Sequence, residues 1–206
     1  MADLQALQAP RLALLLQRMA AAERAAPPGR ALVLAIDGRA AAGKTTLAAA
    51  LEKALGAGVI HMDDFFLPQA LRTPARYAEP GGNVHYERFA AEVLPHLHSP
   101  AAFAYTRFDC ATMRAGPPVP VPAARWRIVE GAYSTHPFFG RYWELAVFVD
   151  IAPAAQLARI TARGGAECAR AFAGRWIPLE ERYIAACRPR ERADLILEGS
   201  EPEPAE

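Results

Sequence analysis

The sequence predicts an α/β fold, a mainly parallel sheet with helices on both faces, in one domain spanning residues 1–206. Three observations predict it. Short apolar runs alternate with helical segments, which is the pattern of βαβ crossovers. The first run, Ala31-Leu32-Val33-Leu34-Ala35-Ile36, is apolar at every position, as a strand buried on both faces is. A length of 206 residues and a mass of 22.3 kDa suit a single domain with a sizeable core, and no composition break marks a linker.

The elements follow in order. Residues 3–25 are rich in alanine and leucine, with Leu4, Leu7, Leu15 and Met19 near helical spacing, so an amphipathic helix is expected, broken at Pro10. Residues 1–29 then form an N-terminal helical extension that packs on the domain or mediates self-association. Ala26-Pro27-Pro28-Gly29-Arg30 ends it, and the first strand runs to Asp37-Gly38. A helix over about 44–55 stops at Gly56 and Gly58, and Val59 to Met62 is a second strand. Residues 67–85 carry Pro68, Pro74, Pro80, Gly81 and Gly82 and read as a long loop, a length usually reserved for function. A helix is expected from Tyr86 to Leu97. Residues 103–124 form an extended arm whose return side, Val119-Pro120-Val121-Pro122, lacks the donors of a central strand. Trp126 to Val129 and Leu145 to Val149 are strands that end at Glu130 and Asp150. A helix over 153–163, an Arg- and Gly-rich segment, a helix over 178–187 and a strand at Asp194 to Leu197 follow. The tail, 199–206, is expected to be disordered.

Composition excludes several classes. Alanine supplies 46 of the hydrophobic residues, so mean hydropathy is only +0.02. No stretch approaches the roughly 18–20 apolar residues of a membrane helix. The best run, Leu12 to Leu16, lies between Arg11 and Gln17, and Asp3 stands where a signal peptide carries positive charge. Neither a membrane partner nor secretion is expected. A net charge of +1 gives no basic field for nucleic acid. Cys110, Cys168 and Cys187 are odd in number and far apart, which suits neither a disulfide framework nor a zinc site but fits a reducing cytoplasm. A small molecule remains as the partner, with homo-oligomer formation through the first helix as a second option.

The chemistry concentrates in Gly38-Arg39-Ala40-Ala41-Ala42-Gly43-Lys44-Thr45, which fits G-x-x-x-x-G-K-[ST] at every fixed position. Glycines let successive N–H groups point into one concavity, and the next helix adds its positive end. The lysine reaches the β- and γ-phosphates, and Thr45 is placed for Mg²⁺. The chain uses arginine for 21 of its 23 basic residues, yet places one of its two lysines here. Residues 38–46 are therefore the expected ATP cradle. Ligands of open α/β sheets sit beyond the carboxyl ends of the strands. Of the acids there, Glu130 suits the magnesium side and Asp63 the acceptor side, while Asp37 and Asp150 read as caps. Arg159, Arg163, Arg170 and Arg175 lie near Gly164, Gly165 and Gly174, and suit a mobile lid over 159–176 that brings cations to phosphate.

Together Ile36-Asp37-Gly38 through Thr46, His61-Met62-Asp63-Asp64-Phe65-Phe66-Leu67, Phe108-Asp109-Cys110 and Val129-Glu130-Gly131 resemble the uridine kinase and phosphoribulokinase family, in particular its small bacterial uridine kinase-like members. The resemblance spans about residues 30–199. It implies a three-layer P-loop NTPase fold with a five-stranded sheet and an arginine-rich lid. It implies that Asp63 is the catalytic base, that Thr45 and Glu130 serve magnesium, and that Lys44, Arg159 and Arg163 act on the phosphoryl group. It also implies an acceptor site between the 67–85 loop and the 103–124 hairpin, formed by Asp63, Phe65, His85, Phe108, Asp109, Met113 and Arg114.

The departures concern the acceptor. The family's ribose-binding N-x-D is Asn83-Val84-His85 here, and its hairpin Tyr and His are Phe108 and Met113. His85 reads more readily as a surface histidine than as a ligand, although its motif position narrows the difference. Arg72, Arg76 and Arg88 could meet an acidic acceptor or simply solubilise the loop. The expected function is an ATP-dependent kinase for a hydroxyl of a small metabolite, a nucleoside first and a sugar phosphate or hydroxy or carboxy compound second. A stand-alone ATPase is the alternative from another class. A GTPase is disfavoured because neither Lys44 nor Lys53 has an N-K-x-D context.

Overall fold

The computed structural model describes residues 2–198, with side chains from residue 12 onward. The 199–206 tail and the side chains of Leu4 and Leu7 lie outside the described residues. Five parallel strands form the sheet: β1 (Leu32–Gly38), β2 (Gly58–His61), β5 (Trp126–Glu130), β6 (Leu145–Asp150) and β7 (Leu195–Glu198), in the order β2-β5-β1-β6-β7. β1 is central and buried at all seven positions. Its side chains alternate between two cores, as a two-residue period requires. Leu32, Leu34 and Ile36 join Leu15, Met19, Leu47 and Leu51 on the side of α1 (Ala2–Ala25) and α2 (Lys44–Leu55). Val33 and Ala35 join Phe65, Phe89, Tyr105 and Tyr183 on the other. Strands β2 and β5 lie to one side of β1, and β6 and β7 to the other, so the chain reverses at the carboxyl end of β1 and leaves a crevice there.

Several elements differ from expectation. α1 runs through Pro10 without a break. Proline removes one ladder donor, but alanine- and leucine-rich flanks favour the helix, and Leu15 and Met19 anchor it on the sheet. The 67–85 segment is not structureless. It holds a 3₁₀ turn at Gln69–Leu71 and the helix α3 (Pro74–Ala78), capped by the Thr73 hydroxyl, which accepts from the Arg76 N–H at 3.1 Å. α4 (Tyr86–Glu92) stops early, and Leu94–His96, with Pro95 inside, tightens into 3₁₀ form. The 103–124 arm is a separate antiparallel ribbon of β3 (Phe103–Asp109) and β4 (Arg114–Val121), where the prolines of β4 occupy an edge.

The expected lid is helical. α5 (Pro153–Ala171) is kinked at Gly165, whose φ of 76° and ψ of 179° are non-helical. A wide π turn over Phe172–Trp176 joins it to α6 (Ile177–Cys187). Among the three expected hinge glycines, Gly165 alone takes a positive φ. A short helix α7 (Pro189–Arg192) precedes β7. Among the described residues no helix is long and apolar enough to cross a membrane.

Candidate active site

The phosphate loop leaves the end of β1. Gly38 has φ 138°, and a Cβ there would lie 2.0 Å from the Val149 carbonyl oxygen of β6, so only glycine fits. Ala41 (φ 59°) and Gly43 (φ 104°) are left-handed, which turns the main-chain amides inward ahead of α2. A left-handed alanine is strained and persists only where its surroundings fix it. Here they do. Glu180 of α6 accepts the Ala40 N–H at 2.6 Å, and Gln156 of α5 donates to the Ala40 carbonyl at 3.2 Å. Arg159 donates to the Ala41 carbonyl at 3.1 Å, and Arg39 is paired with Asp150 at 2.9 Å and with Glu181. The Lys44 ammonium donates to the carbonyls of Gly38 (2.9 Å) and Arg39 (2.7 Å).

The strand-end acids divide by task. Glu130 is 5% exposed, and its two carboxylate oxygens each lie 3.3 Å from the Thr45 hydroxyl. It also pairs with His61 at 2.5 Å, a contact that the sequence reading missed. That hydrogen bond raises the imidazole pKa of His61, against the opposing effect of burial. A hydroxyl and a carboxylate are hard oxygen donors suited to magnesium, which takes its remaining ligands from phosphate and water. Gly131, at φ 135°, lets β2 and β5 converge, because a Cβ there would lie 2.7 Å from the Met62 Cβ. This convergence brings Asp63 to the same cavity as Glu130.

Asp63 is open to the cavity, but protein surrounds it. Desolvation raises its pKa most; Lys44 opposes this, while Glu130 and Asp64 add to it. Asp64 turns away: it accepts from the Tyr105 hydroxyl at 2.7 Å and pairs with Arg107 at 3.2 Å. Asp37 is not a helix cap. Buried to 1% exposure, it accepts from the Tyr133 N–H (3.1 Å), the Thr135 N–H (2.9 Å) and hydroxyl (2.6 Å), and the Tyr183 hydroxyl (2.7 Å). It thereby holds Tyr133 at φ 74°. Asp150 likewise serves ion pairs, with Arg39 and with Arg190 at 3.1 Å.

The phosphate loop, Glu130 and Asp63 face one cavity of about 700 Å³. Its phosphate end is lined by Ala40, Ala41 and Gly43 through Thr46, by Glu130, and by Arg159 and Arg163 from α5. Its far end holds Asp63, Arg72, Asn83 and Met113, with the rings of Phe66, Tyr77, Tyr133 and Trp176. Gly38, Arg39 and Ala42 shape the loop without lining the cavity. Arg175 lies over the rings of Tyr77 (4.9 Å) and Trp176 (4.8 Å) and does not line the cavity.

Five expected acceptor residues do not line the cavity. Phe65 is wholly buried between Phe89 and Tyr105, and its neighbour Phe66 takes the cavity position. His85 donates its N–H to the Phe65 carbonyl at 2.7 Å and directs its ring toward Glu87, while Asn83, two residues earlier, reaches the wall. Phe108 is buried, and Asp109 accepts the Ala111 N–H at 2.8 Å and the Thr112 hydroxyl at 2.9 Å to close the hairpin turn. Arg114, its strand partner, is exposed. Cys110 closes a quoted motif without having been assigned a role, and other wall residues, Tyr133, Trp176 and Glu180 among them, carried no motif. Only the position of Tyr133 beyond Glu130-Gly131 hinted at its place.

No family model matches the chain, and no curated protein sequence matches it. Solved structures do. A protein provisionally assigned as a uridine kinase, from Bacillus stearothermophilus, superposes with a TM-score of 0.67 at 20% identity, covering 91% of this chain and 97% of the other. A protein provisionally assigned as a fructose transport system kinase, from Silicibacter sp. TM1040, gives 0.61 at 26% identity over 90% and 98%. The D-glycerate 3-kinase of Cryptococcus neoformans gives 0.58 at 14% over 88% of each chain. The fold is that of P-loop kinases, and these neighbours support a phosphotransferase.

Proposed function

We propose that this protein is an ATP-dependent kinase that transfers the γ-phosphoryl group to a hydroxyl of a small metabolite. The observation that carries the reading is one cavity in which the phosphate loop, the Thr45–Glu130 pair and Asp63 converge. Main-chain amides of residues 41–46 and the helix end grip the triphosphate, and Lys44 exchanges its loop carbonyls for phosphate oxygens. Thr45 and Glu130 would hold a magnesium ion, which supplies charge neutralisation on the phosphates when bound. Asp63 accepts the proton of the attacking hydroxyl, and its raised pKa makes it a better base than an ordinary aspartate. Arg159 and Arg163 face the same end and offset charge in the transition state.

Two acceptor classes compete for the far end. A nucleoside finds aromatic surface in Phe66, Tyr77 and Trp176, but Met113 at a position where the resemblance expects a polar base contact, and His85 in place of the ribose-binding carboxylate. A hydroxylated metabolite that carries negative charge finds the guanidinium of Arg72. ADP release measured across nucleosides, sugar phosphates and hydroxy acids, with Lys44→Ala as blank, tests the kinase reading. Acceptor-dependent release supports it. Release that no acceptor increases would mark a stand-alone ATPase instead.

A further inference from the structure

Three arginines flank the 67–85 segment, and two of them are spent on the fold. Arg76 pairs with Glu87 at 2.7 and 2.9 Å, donates to the carbonyls of Gly82 (3.0 Å) and Val84 (2.9 Å), and lies over the Tyr86 ring. Arg88 donates to the Asp64 carbonyl at 2.5 Å and to the Thr106 carbonyl, and covers the Phe65 ring. Arg72 differs. Its Nε donates to the Leu67 carbonyl at 2.8 Å, which fixes the plane of the guanidinium, while its terminal nitrogens have no hydrogen-bond or ion-pair partner among the described residues. It lines the same cavity as Asp63. A planar fork with two unspent donor nitrogens is the geometry that takes a carboxylate or phosphate.

A second feature of the same wall points to a ligand. Asn83 is only 4% exposed, it lines the cavity, and its Oδ1 is buried without a partner. Buried polar atoms are normally paired, and an orphaned acceptor is unfavourable. The amide also hydrogen-bonds the side chain of Tyr133, another residue of the lining, and its broad terminal torsion is the freedom by which the unpaired oxygen meets a donor in the cavity. The acceptor of this wall thus needs an anionic group for Arg72 and a hydrogen-bond donor for Asn83.

Building on the kinase reading, we propose that the phosphoryl acceptor is a hydroxylated metabolite bearing a carboxylate or phosphate, with Arg72 holding the anion and Asn83 holding a second donor group. The test uses matched anionic and neutral compounds: ribose 5-phosphate against ribose, glycerate against glycerol, and uridine as the uncharged nucleoside. ADP release gives kcat/KM for each. Tryptophan fluorescence gives binding in the presence of magnesium and a non-hydrolysable ATP analogue, with Trp176→Phe as the signal blank. The anionic member of at least one pair is expected to exceed its neutral partner about tenfold or more. Arg72→Gln should erase that preference, Arg72→Lys should restore part of it, and Asn83→Ala should lower kcat/KM for the same compound. The phosphate and carboxylate pairs show which anion is read. Equal or better turnover of uridine or the neutral partners overturns the inference and leaves the kinase reading standing, as does a preference that survives Arg72→Gln. If no compound increases ADP release, the kinase reading fails with the acceptor role, and binding decides the Arg72 anion site alone. Anion-selective quenching lost in Arg72→Gln supports it, and its absence overturns it.

Discussion

At the scale of single residues, the two adjacent carboxylates at 63 and 64 look interchangeable in the sequence. Tyr105 and Arg107, both from the hairpin some 40 positions away, claim Asp64 and leave Asp63 to the cavity. Asp63→Asn should lower transfer by about 10²–10⁴-fold while calorimetry finds ATP binding nearly unchanged. The base must be ionised to work, and its folded pKa is raised above 3.8. The acid limb of kcat/KM for wild type is therefore expected above that value, with activity lost as pH falls through it. A limb at or below 3.8 would remove Asp63 from the role. Asp37 is the opposite case: a strand-end acid, invisible to solvent, that takes four hydrogen bonds from three residues, Tyr133, Thr135 and Tyr183, on two segments. Asp37→Ala strands those donors and should destabilise the fold by about 3 kcal/mol in urea titration.

At the scale of elements, the phosphate loop was legible because its chemistry is local: glycines at fixed spacing between a buried strand and a helix. The acceptor side was not. Which of Phe65 and Phe66 reaches the cavity depends on a 3₁₀ turn at Met62–Phe65, and Asn83 displaces His85 because His85 caps α4 through its backbone. Such details follow from packing between segments distant in the chain, which periodicity does not encode. The contact between α6 and the loop is equally non-local. Glu180, 3% exposed, has its pKa raised by desolvation above the ordinary 4.5. A group with a raised folded pKa adds stability below its unfolded pKa and loses it as pH rises through the folded one. Glu180→Gln removes the buried charge, so the difference in Tm between variant and wild type should be positive at pH 7–8 and shrink toward pH 4. A difference that grows on acidification would contradict this. Gly38→Ala, whose methyl would collide with the Val149 carbonyl, should abolish nucleotide binding even where the variant folds.

At the scale of the whole molecule, the alternation of apolar strands and helices was enough to anticipate the five-stranded sheet, because strands buried on both faces leave an unmistakable trace. The helical nature of the 159–176 segment was hidden by its glycines, of which only Gly165 interrupts a helix. Nucleotide binding to a folded cradle stabilises the entire domain. ATP with magnesium at about a hundred times its Kd should add about 2.7 kcal/mol, a Tm shift of roughly 5–11 °C at this chain length, and Lys44→Ala should lose most of it. The 156–180 segment also has its two feet planted together. Gln156 and Glu180 touch each other at 2.8 Å and both grip Ala40, so the 23 residues between them form a closed handle rooted on the phosphate loop. A segment tied at both ends to one residue of the loop cannot slide along it, and any displacement of Ala40 acts on both of its ends at once, without passing through the sheet.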